Sequence, residues 1–240
     1  MRMRPTAGLV AAAAVIAAAV GTPVARAGFG GGGFCGLAYQ KGLVPAGDTC
    51  YNGLRVDVTG DGRTDLVVLY DRGHPGVNGS PPRFGPYTLK VVSATGEVLE
   101  ARFRAPLPPA VIVAARRVND QPGVELFIRV ARASSGSSVA IYSDLHGRLV
   151  RSRVTVTFGG DSASKFGFSC VRTPRPEIVQ RSYELLGPNI NGRWRERIDT
   201  YSWTGARLHR TGSTSMIHHG WPGAGAVAIG AGCGPLPGFS

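Results

Sequence analysis

The sequence predicts an all-β protein of antiparallel β-meander repeats, and three observations lead to that fold class. Glycine and proline are frequent, with 35 Gly and 17 Pro among 240 residues, so long helices have little room. The hydrophobic share of 43% is too high for a disordered chain. The apolar residues fall in short runs rich in β-branched and aromatic side chains, separated by turn residues, which is typical of sheets joined by tight turns.

The N-terminal residues 1–27 have the features of a cleaved secretion signal. Two arginines precede an apolar run from Ala7 to Gly21, and Ala25-Arg26-Ala27 is the small-x-small pattern that signal peptidases cut. The apolar run is too short and too weakly hydrophobic for a permanent membrane span, and no later segment is long enough for one. We therefore expect a secreted, extracellular protein without a membrane span.

Beyond the signal, we divide the sequence into two parts. Residues 28–53 form a Gly-rich N-terminal segment with a disulfide clip. Residues 54–240 form a single all-β repeat domain, because short apolar runs and turn signals continue throughout without a linker of different composition.

The four cysteines form an even set, which in an exported chain indicates disulfides and allows three connectivities. We favour Cys35–Cys50 together with Cys170–Cys233, since each bond joins neighbours along the chain and fixes one end of the fold. The spacings do not fit a zinc site. We therefore interpret the cysteines as structural.

Three predicted hairpins resemble one another. Each has a strand of alternating polar and apolar residues, a turn that ends in glycine, and a second strand in which polar residues are again followed by apolar ones. The turns end at Gly96, Gly147 and Gly205. Similar strands also begin at Asp65 and Glu125, upstream of the first two hairpins. This recurrence predicts about three degenerate blade-like repeats of roughly 50–60 residues that must pack on one another. Unrelated hairpins of an ordinary β-sandwich remain the alternative.

The sharpest chemical signal is the stretch 57–65, which reads Asp-Val-Thr-Gly-Asp-Gly-Arg-Thr-Asp. Oxygen ligands at alternate positions around a glycine are the pattern of an EF-hand-type calcium loop. The bidentate Glu of such loops is absent, which predicts weak binding of one structural Ca²⁺. A metal-free Asp-Gly turn is the alternative. The predicted ligands are the carboxylates of Asp57, Asp61 and Asp65, the Thr59 hydroxyl or carbonyl, and the Arg63 carbonyl.

Over residues 56–69 the sequence resembles the FG-GAP and VCBS-type repeats of integrin-like β-propellers, which share a D-x-[DNT]-x-D-G-x-x-D loop between two blade strands. The resemblance implies a calcium loop on a β-meander and a role in extracellular architecture or recognition. The chain departs from the pattern at Thr59, where Asp or Asn is commoner. A second copy, residues 117–125, has Arg117 and Gln121 at ligand positions, so we expect it not to bind calcium. Three repeats are too few for a seven-bladed ring.

The net charge of +12 does not indicate a nucleic-acid binder, because the arginines are scattered rather than clustered with aromatic residues. One set, Arg193, Arg195 and Arg197, alternates along a predicted strand and shares one face. That face either binds a polyanion such as an acidic cell-wall polymer or is simply solvated.

No catalytic set emerges from the sequence. Residues 160–163 resemble the nucleophile tetrapeptide of trypsin-like proteases, but Ala163 replaces a glycine and no histidine lies in a suitable context. His218 and His219 are adjacent and point to opposite faces of an extended strand. Tryptophans could stack on sugars, although burial between sheets is the stronger expectation. These are Trp194, Trp203 and Trp221.

The sequence therefore predicts a secreted non-enzymatic protein with one structural calcium loop, which binds an extracellular polymer or a surface protein. The alternative is a secreted hydrolase acting on a polysaccharide or cell-wall polymer, with acids brought together by the fold. A concave cluster of acids with aromatic walls would favour the hydrolase, whereas a broad exposed arginine or aromatic surface would favour binding.

Overall fold

The computed structural model describes residues 31–72, 85–106, 109–134, 136–171, 175–189, 191–223, 229–231 and 233. Most of these residues lie in antiparallel strands, which confirms the all-β fold class. The expected secretion signal, residues 1–27, and the first residues of the Gly-rich segment lie outside the described residues.

The smaller sheet is an antiparallel meander of four strands in sequence order. Its first strand begins five residues before the boundary at 53/54 that the composition suggested, so the disulfide clip leads directly into the sheet. The strands are β1 (Thr49–Val56), β2 (Asp65–Asp71), β3 (Tyr87–Val92) and β4 (Val98–Phe103).

The larger sheet is also a meander, in which eight strands follow one another antiparallel and a short β13 (Ile229–Ala231) pairs parallel with the fifth of them. The eight strands are β5 (Val111–Arg116), β6 (Glu125–Ala133), β7 (Gly136–Asp144), β8 (Leu149–Gly160), β9 (Ser164–Val171), β10 (Glu177–Leu186), β11 (Arg193–Thr204) and β12 (Arg207–His219).

The three predicted hairpins are confirmed as β3–β4, β7–β8 and β11–β12. Each turn contains a glycine with positive φ, at Gly96, Gly147 and Gly205, a conformation that costs glycine least. Each hairpin ends a group of four consecutive strands. The second and third groups are not separate sheets, however, because β8 and β9 pair through Gly159 and Gly160.

Two cores lie on opposite faces of β5–β8. Leu126 and Ile128 of β6 join the first core, which also contains Val67 and Leu89 of the smaller sheet. Phe127, between them in the sequence, points the other way and packs in a second core with residues of β9, β10 and β12. The group β5–β8 is therefore covered on one face by the smaller sheet and on the other by the strands that follow.

The described N-terminal residues contain a helix that the glycine content did not predict, α1 (Gly31–Gln40). Its Ala38 packs with Val68 and Tyr70 of β2, so the tertiary contact compensates for poor helix propensity. No helix in the described part of the chain is long and apolar enough to cross a membrane.

Both predicted disulfides are confirmed. Cys35–Cys50 ties α1 to β1, and Cys170–Cys233 ties β9 to the C-terminal segment.

Candidate functional site

The loop between β1 and β2 carries the residues predicted to bind calcium. Gly60 and Gly62 both have positive φ, of 75° and 79°, a conformation that glycine adopts at little cost. Asp57 holds this part of the loop, because one of its carboxylate oxygens accepts the Gly60 N–H at 2.7 Å and the other accepts the Gly62 N–H at 3.0 Å. Asp61 is exposed, and its Oδ1 accepts the Arg63 N–H at 2.8 Å.

Asp65 has a different environment from the other two carboxylates. It is fully buried, and its Oδ2 accepts N–H groups from Val58 at 2.8 Å and from Thr59 at 2.9 Å, while the Thr59 hydroxyl lies 3.2 Å away. Its Oδ1 accepts the Ala94 N–H of the β3–β4 turn at 3.3 Å. The carboxylate therefore closes the calcium-type loop and joins it to the neighbouring hairpin.

The second copy of the motif closes in the same way. Glu125 begins β6 as Asp65 begins β2, and its Oε2 accepts the Val118 N–H at 2.7 Å. Burial raises the pKa of Glu125 to about 7, against the opposing effect of that hydrogen bond. The acid that ends each motif therefore closes its loop by accepting backbone N–H groups.

The two loops also contact each other. The Val124 N–H donates to the Asp57 carbonyl at 3.0 Å, and a Cβ on Gly60 would collide with Pro122. The two copies therefore resemble each other in sequence and also pack against each other, at the interface between the smaller sheet and β5–β8.

A cavity of about 470 Å³ opens beside the first loop, where turns from three hairpins meet. Its carboxylates are Asp61 and Glu97, from the β1–β2 and β3–β4 connections, and Asp144, the last residue of β7. We call this cavity the acidic cup. The remaining lining residues are Thr59, Ser93, Thr95, His146 and Gly147, none of them a Phe, Tyr or Trp.

The residues predicted as calcium ligands are only partly brought together. Among the residues that the structure describes, no three Asp, Glu, His or Cys side chains converge as a metal-ligand set. Asp57 and Asp61, with Thr59 and Arg63, remain in one loop, and each of the two carboxylates has oxygen lone pairs beyond its loop hydrogen bonds. Asp65 faces inward. Calcium binding by the five residues stays a prediction.

A second polar cluster, which the sequence did not indicate, surrounds Glu196 on β11. Its carboxylate is buried and has three partners at 2.7 Å, namely Arg181 Nη1, Tyr183 Oη and His218 Nε2. Burial by itself would raise the pKa of Glu196, but the hydrogen bonds from these partners outweigh it and hold the pKa below its ordinary value. Burial, with help from Glu196, raises the pKa of Tyr183 to about 12.

The sequence missed this cluster because its members lie on three strands and only strand register brings them together. Tyr183 pairs with Glu196, and Glu196 with Met216. All polar atoms of the Glu196 carboxylate are engaged, so the cluster ties β10, β11 and β12 to one another.

The predicted arginine face exists on β11, since Arg193, Arg195 and Arg197 are all exposed and alternate with buried residues. It is partly neutralised: Arg195 lies 3.2 Å from Glu184, and Arg197 lies 2.9 Å from Asp199. The face is therefore less cationic than the sequence suggests.

The tryptophans considered for sugar stacking and the protease-like tetrapeptide have structural roles in the part of the chain that the structure describes. Trp194 is fully buried against Trp221, with ring centroids 4.8 Å apart, and Trp203 packs against the second core. Asp161, next to Ser162, accepts N–H groups of the β8–β9 turn, as expected for a loop rather than a nucleophile site.

Comparison of the chain with protein-family models, with curated proteins and with solved structures found no match. The likeness to FG-GAP and VCBS-type repeats therefore remains an expectation that rests on residues 56–69.

Proposed function

We propose that the protein is a secreted, non-enzymatic binding protein whose acidic cup takes up calcium and, with it, an extracellular polymer or surface protein. The observation that supports this function is that Asp61, Glu97 and Asp144, which belong to three separate hairpins, line one cup. Carboxylate, hydroxyl and carbonyl oxygens are the ligands that Ca²⁺ prefers.

Calcium would be held at the mouth of the first loop by Asp57 and Asp61, together with Thr59 and the Arg63 carbonyl. Asp65, the fifth residue of the motif, supports the site from behind by fixing the Val58 and Thr59 N–H groups. The bound ion adds positive charge on one side of the cup, opposite Glu97 and Asp144, where an oxygen-rich ligand can reach it.

The chemistry of the cup supports binding over hydrolysis. A polysaccharide hydrolase needs paired acids beside a surface on which sugar rings can stack, and the described residues that line the cup include no Phe, Tyr or Trp. Trp194, which could have supplied such a surface, is buried elsewhere. Secretion is supported by the signal-like N-terminus and by the two disulfides, which persist in oxidising compartments.

Calcium binding can be tested by comparing the thermal unfolding of the mature protein in calcium and in chelator. With a Kd on the order of 10⁻⁴–10⁻³ M, about 10 mM calcium stabilises the fold by roughly 1.4–2.7 kcal/mol. Asp61→Asn should lose this stabilisation and keep the melting temperature in chelator. Asp161→Asn is the matched control, since Asp161 also accepts an N–H two residues ahead but lies outside the cup.

A glycan array and a pull-down against extracellular material, each run with and without calcium, test the binding role. We expect a ligand that is retained in calcium and released by chelator or by Asp61→Asn. The same melting temperature in calcium and in chelator would contradict calcium binding. An absence of ligand in both conditions would contradict the binding function.

A further inference from the structure

Five acidic side chains are buried in the described part of the chain, and four of them have groups that compensate for the loss of water. Asp65 accepts three backbone N–H groups. Burial raises the pKa of Glu125 to about 7, so a proton can neutralise it. Glu196 and Asp199 each form an ion pair with an arginine. The fifth is Asp71, the last residue of β2.

The carboxylate of Asp71 lacks comparable compensation. Asp71 is 1% exposed, and its Oδ2 accepts the Gly85 N–H at 2.7 Å. Its Oδ1 has no hydrogen-bond partner, and none of the described Lys, Arg and His side chains forms an ion pair with it. A buried charge is costly unless it is paired, so an unpartnered carboxylate oxygen indicates that another group binds beside it.

Two tyrosines of the smaller sheet lie next to this carboxylate. Tyr87 is directly opposite Asp71 in the β2–β3 ladder, and the rings of Tyr51 and Tyr87 are 5.4 Å apart. Burial raises the pKa of Tyr51 well above its ordinary value, and the hydrogen-bonding contact with Asp71 and the charge of Asp71 add to the effect. The hydroxyl of Tyr87 is buried and also lacks a partner within the described residues. Both tyrosines therefore offer a neutral hydroxyl oxygen beside Asp71.

We propose that Asp71, Tyr51 and Tyr87 bind a monovalent metal cation, with Asp71 Oδ1 and the two hydroxyl oxygens as its protein ligands. Hard cations prefer carboxylate and other oxygen ligands. One positive charge neutralises the single carboxylate, whereas a divalent ion would leave an unpaired charge at the edge of the first core. Asp71 and Asp65 lie at opposite ends of β2, about 20 Å apart at roughly 3.4 Å per residue, so this site is separate from the acidic cup.

The surroundings of Asp71 favour a cation over a water molecule. The ring of Tyr87 stacks on Phe103 with centroids 5.5 Å apart, and both residues belong to the first core together with Leu69 and Leu89. A water molecule would give Oδ1 a hydrogen bond but would leave the negative charge beside these apolar side chains. A cation supplies a partner for the oxygen and also removes the net charge.

The dependence of folding on sodium concentration tests the site. Urea unfolding is followed in chelator while sodium chloride is replaced stepwise by tetramethylammonium chloride at constant ionic strength, which keeps the screening of surface charges fixed. An ion that binds only the folded protein raises the folding equilibrium constant in proportion to its concentration above Kd. A tenfold increase in sodium should then give about a tenfold increase in that constant.

Three variants separate the site from general effects of salt. Asp71→Asn should abolish the sodium dependence, because the amide keeps the shape of the side chain but not its charge. Tyr51→Phe should weaken sodium binding by roughly tenfold or more, since it removes one oxygen ligand. Tyr142→Phe is the matched control: Tyr142 is buried in the same core, but its hydroxyl lies beside Arg151. It should follow wild type.

Equal stability of wild type in sodium and in tetramethylammonium would overturn the inference, as would the same sodium dependence in wild type and Asp71→Asn. If Asp71→Asn does not fold, Tyr51→Phe and Tyr142→Phe decide, and identical sodium curves for these two would exclude the site. Broadening of the sodium NMR signal by wild type, and less by Tyr51→Phe, gives a readout that does not depend on stability. Because every measurement is made in chelator, failure here leaves calcium binding in the acidic cup untouched.

Discussion

The burial of Glu125 predicts how the free energy of unfolding depends on pH. The residue is 1% exposed, and its carboxylate accepts the Val118 N–H at 2.7 Å. Burial in the interface between the two loops raises its pKa from 4.5 to about 7, despite the backbone hydrogen bonds that favour the charged form. The folded protein therefore holds a proton on Glu125 at pH values where the unfolded chain has released it.

The sign of the pH dependence follows from the raised pKa. The contribution of Glu125 to stability is fully present below about pH 4.5 and is lost as the pH rises through about 7. At about 1.4 kcal/mol per pH unit, the interval between those two values amounts to about 3 kcal/mol of unfolding free energy. Ionisation of Glu125 in mildly alkaline solution should therefore lower the free energy of unfolding.

Glu125→Gln removes this dependence because the amide stays neutral while its oxygen can still accept the Val118 N–H. Urea unfolding in chelator at about pH 5 and about pH 8 should show wild type losing about 2.5 kcal/mol more than the variant between the two conditions. Glu184→Gln, at a glutamate whose side chain is 63% exposed, is the control and should follow wild type. Equal pH dependence of wild type and Glu125→Gln would refute the reasoning.

Two further predictions concern the first loop. Asp65→Asn should destabilise the fold by about 1–3 kcal/mol, measured by urea unfolding in chelator, because both Asp65 oxygens accept backbone N–H groups, whereas an amide has one accepting oxygen and leaves either Val58 and Thr59 or Ala94 facing its NH₂. A variant as stable as wild type would show that the loop closes without the carboxylate. Gly60→Ala should cost more than Gly62→Ala, since both residues have positive φ but only a Cβ at Gly60 collides with Pro122, whereas Gly62 faces open space. Thermal melts that rank the two variants in the reverse order would contradict the packing of the two loops.

Much of the fold could be predicted because its signals are local. Alternating apolar residues and turns ending in glycine predicted the hairpins at Gly96, Gly147 and Gly205, and the order of the cysteines along the chain favoured the two disulfides that form. The helix α1 was missed because glycine-rich composition argues against helix, whereas its packing on β2 is a long-range effect. The join between β8 and β9 was missed for a similar reason, since no local signal states where one sheet ends.

The candidate site was predictable only in part. The motif at 57–65 identified the loop, but it could not show that Asp65 points into the core while Asp61 faces the cup. Glu97 and Asp144 have no motif of their own, and they reach the cup because two hairpin turns meet there. The Glu196 cluster likewise depends on the register of β10, β11 and β12.

The sequence by itself determined the class of fold, the position of its turns and the stretch with calcium-type spacing, because these depend on neighbours along the chain. Only the tertiary structure decided how the cysteines pair, which acids are buried and which of them share a cavity. Those properties depend on strand register and on how the sheets pack, so residues far apart in sequence determine whether a carboxylate closes a loop, lines a cup or is neutralised by an arginine.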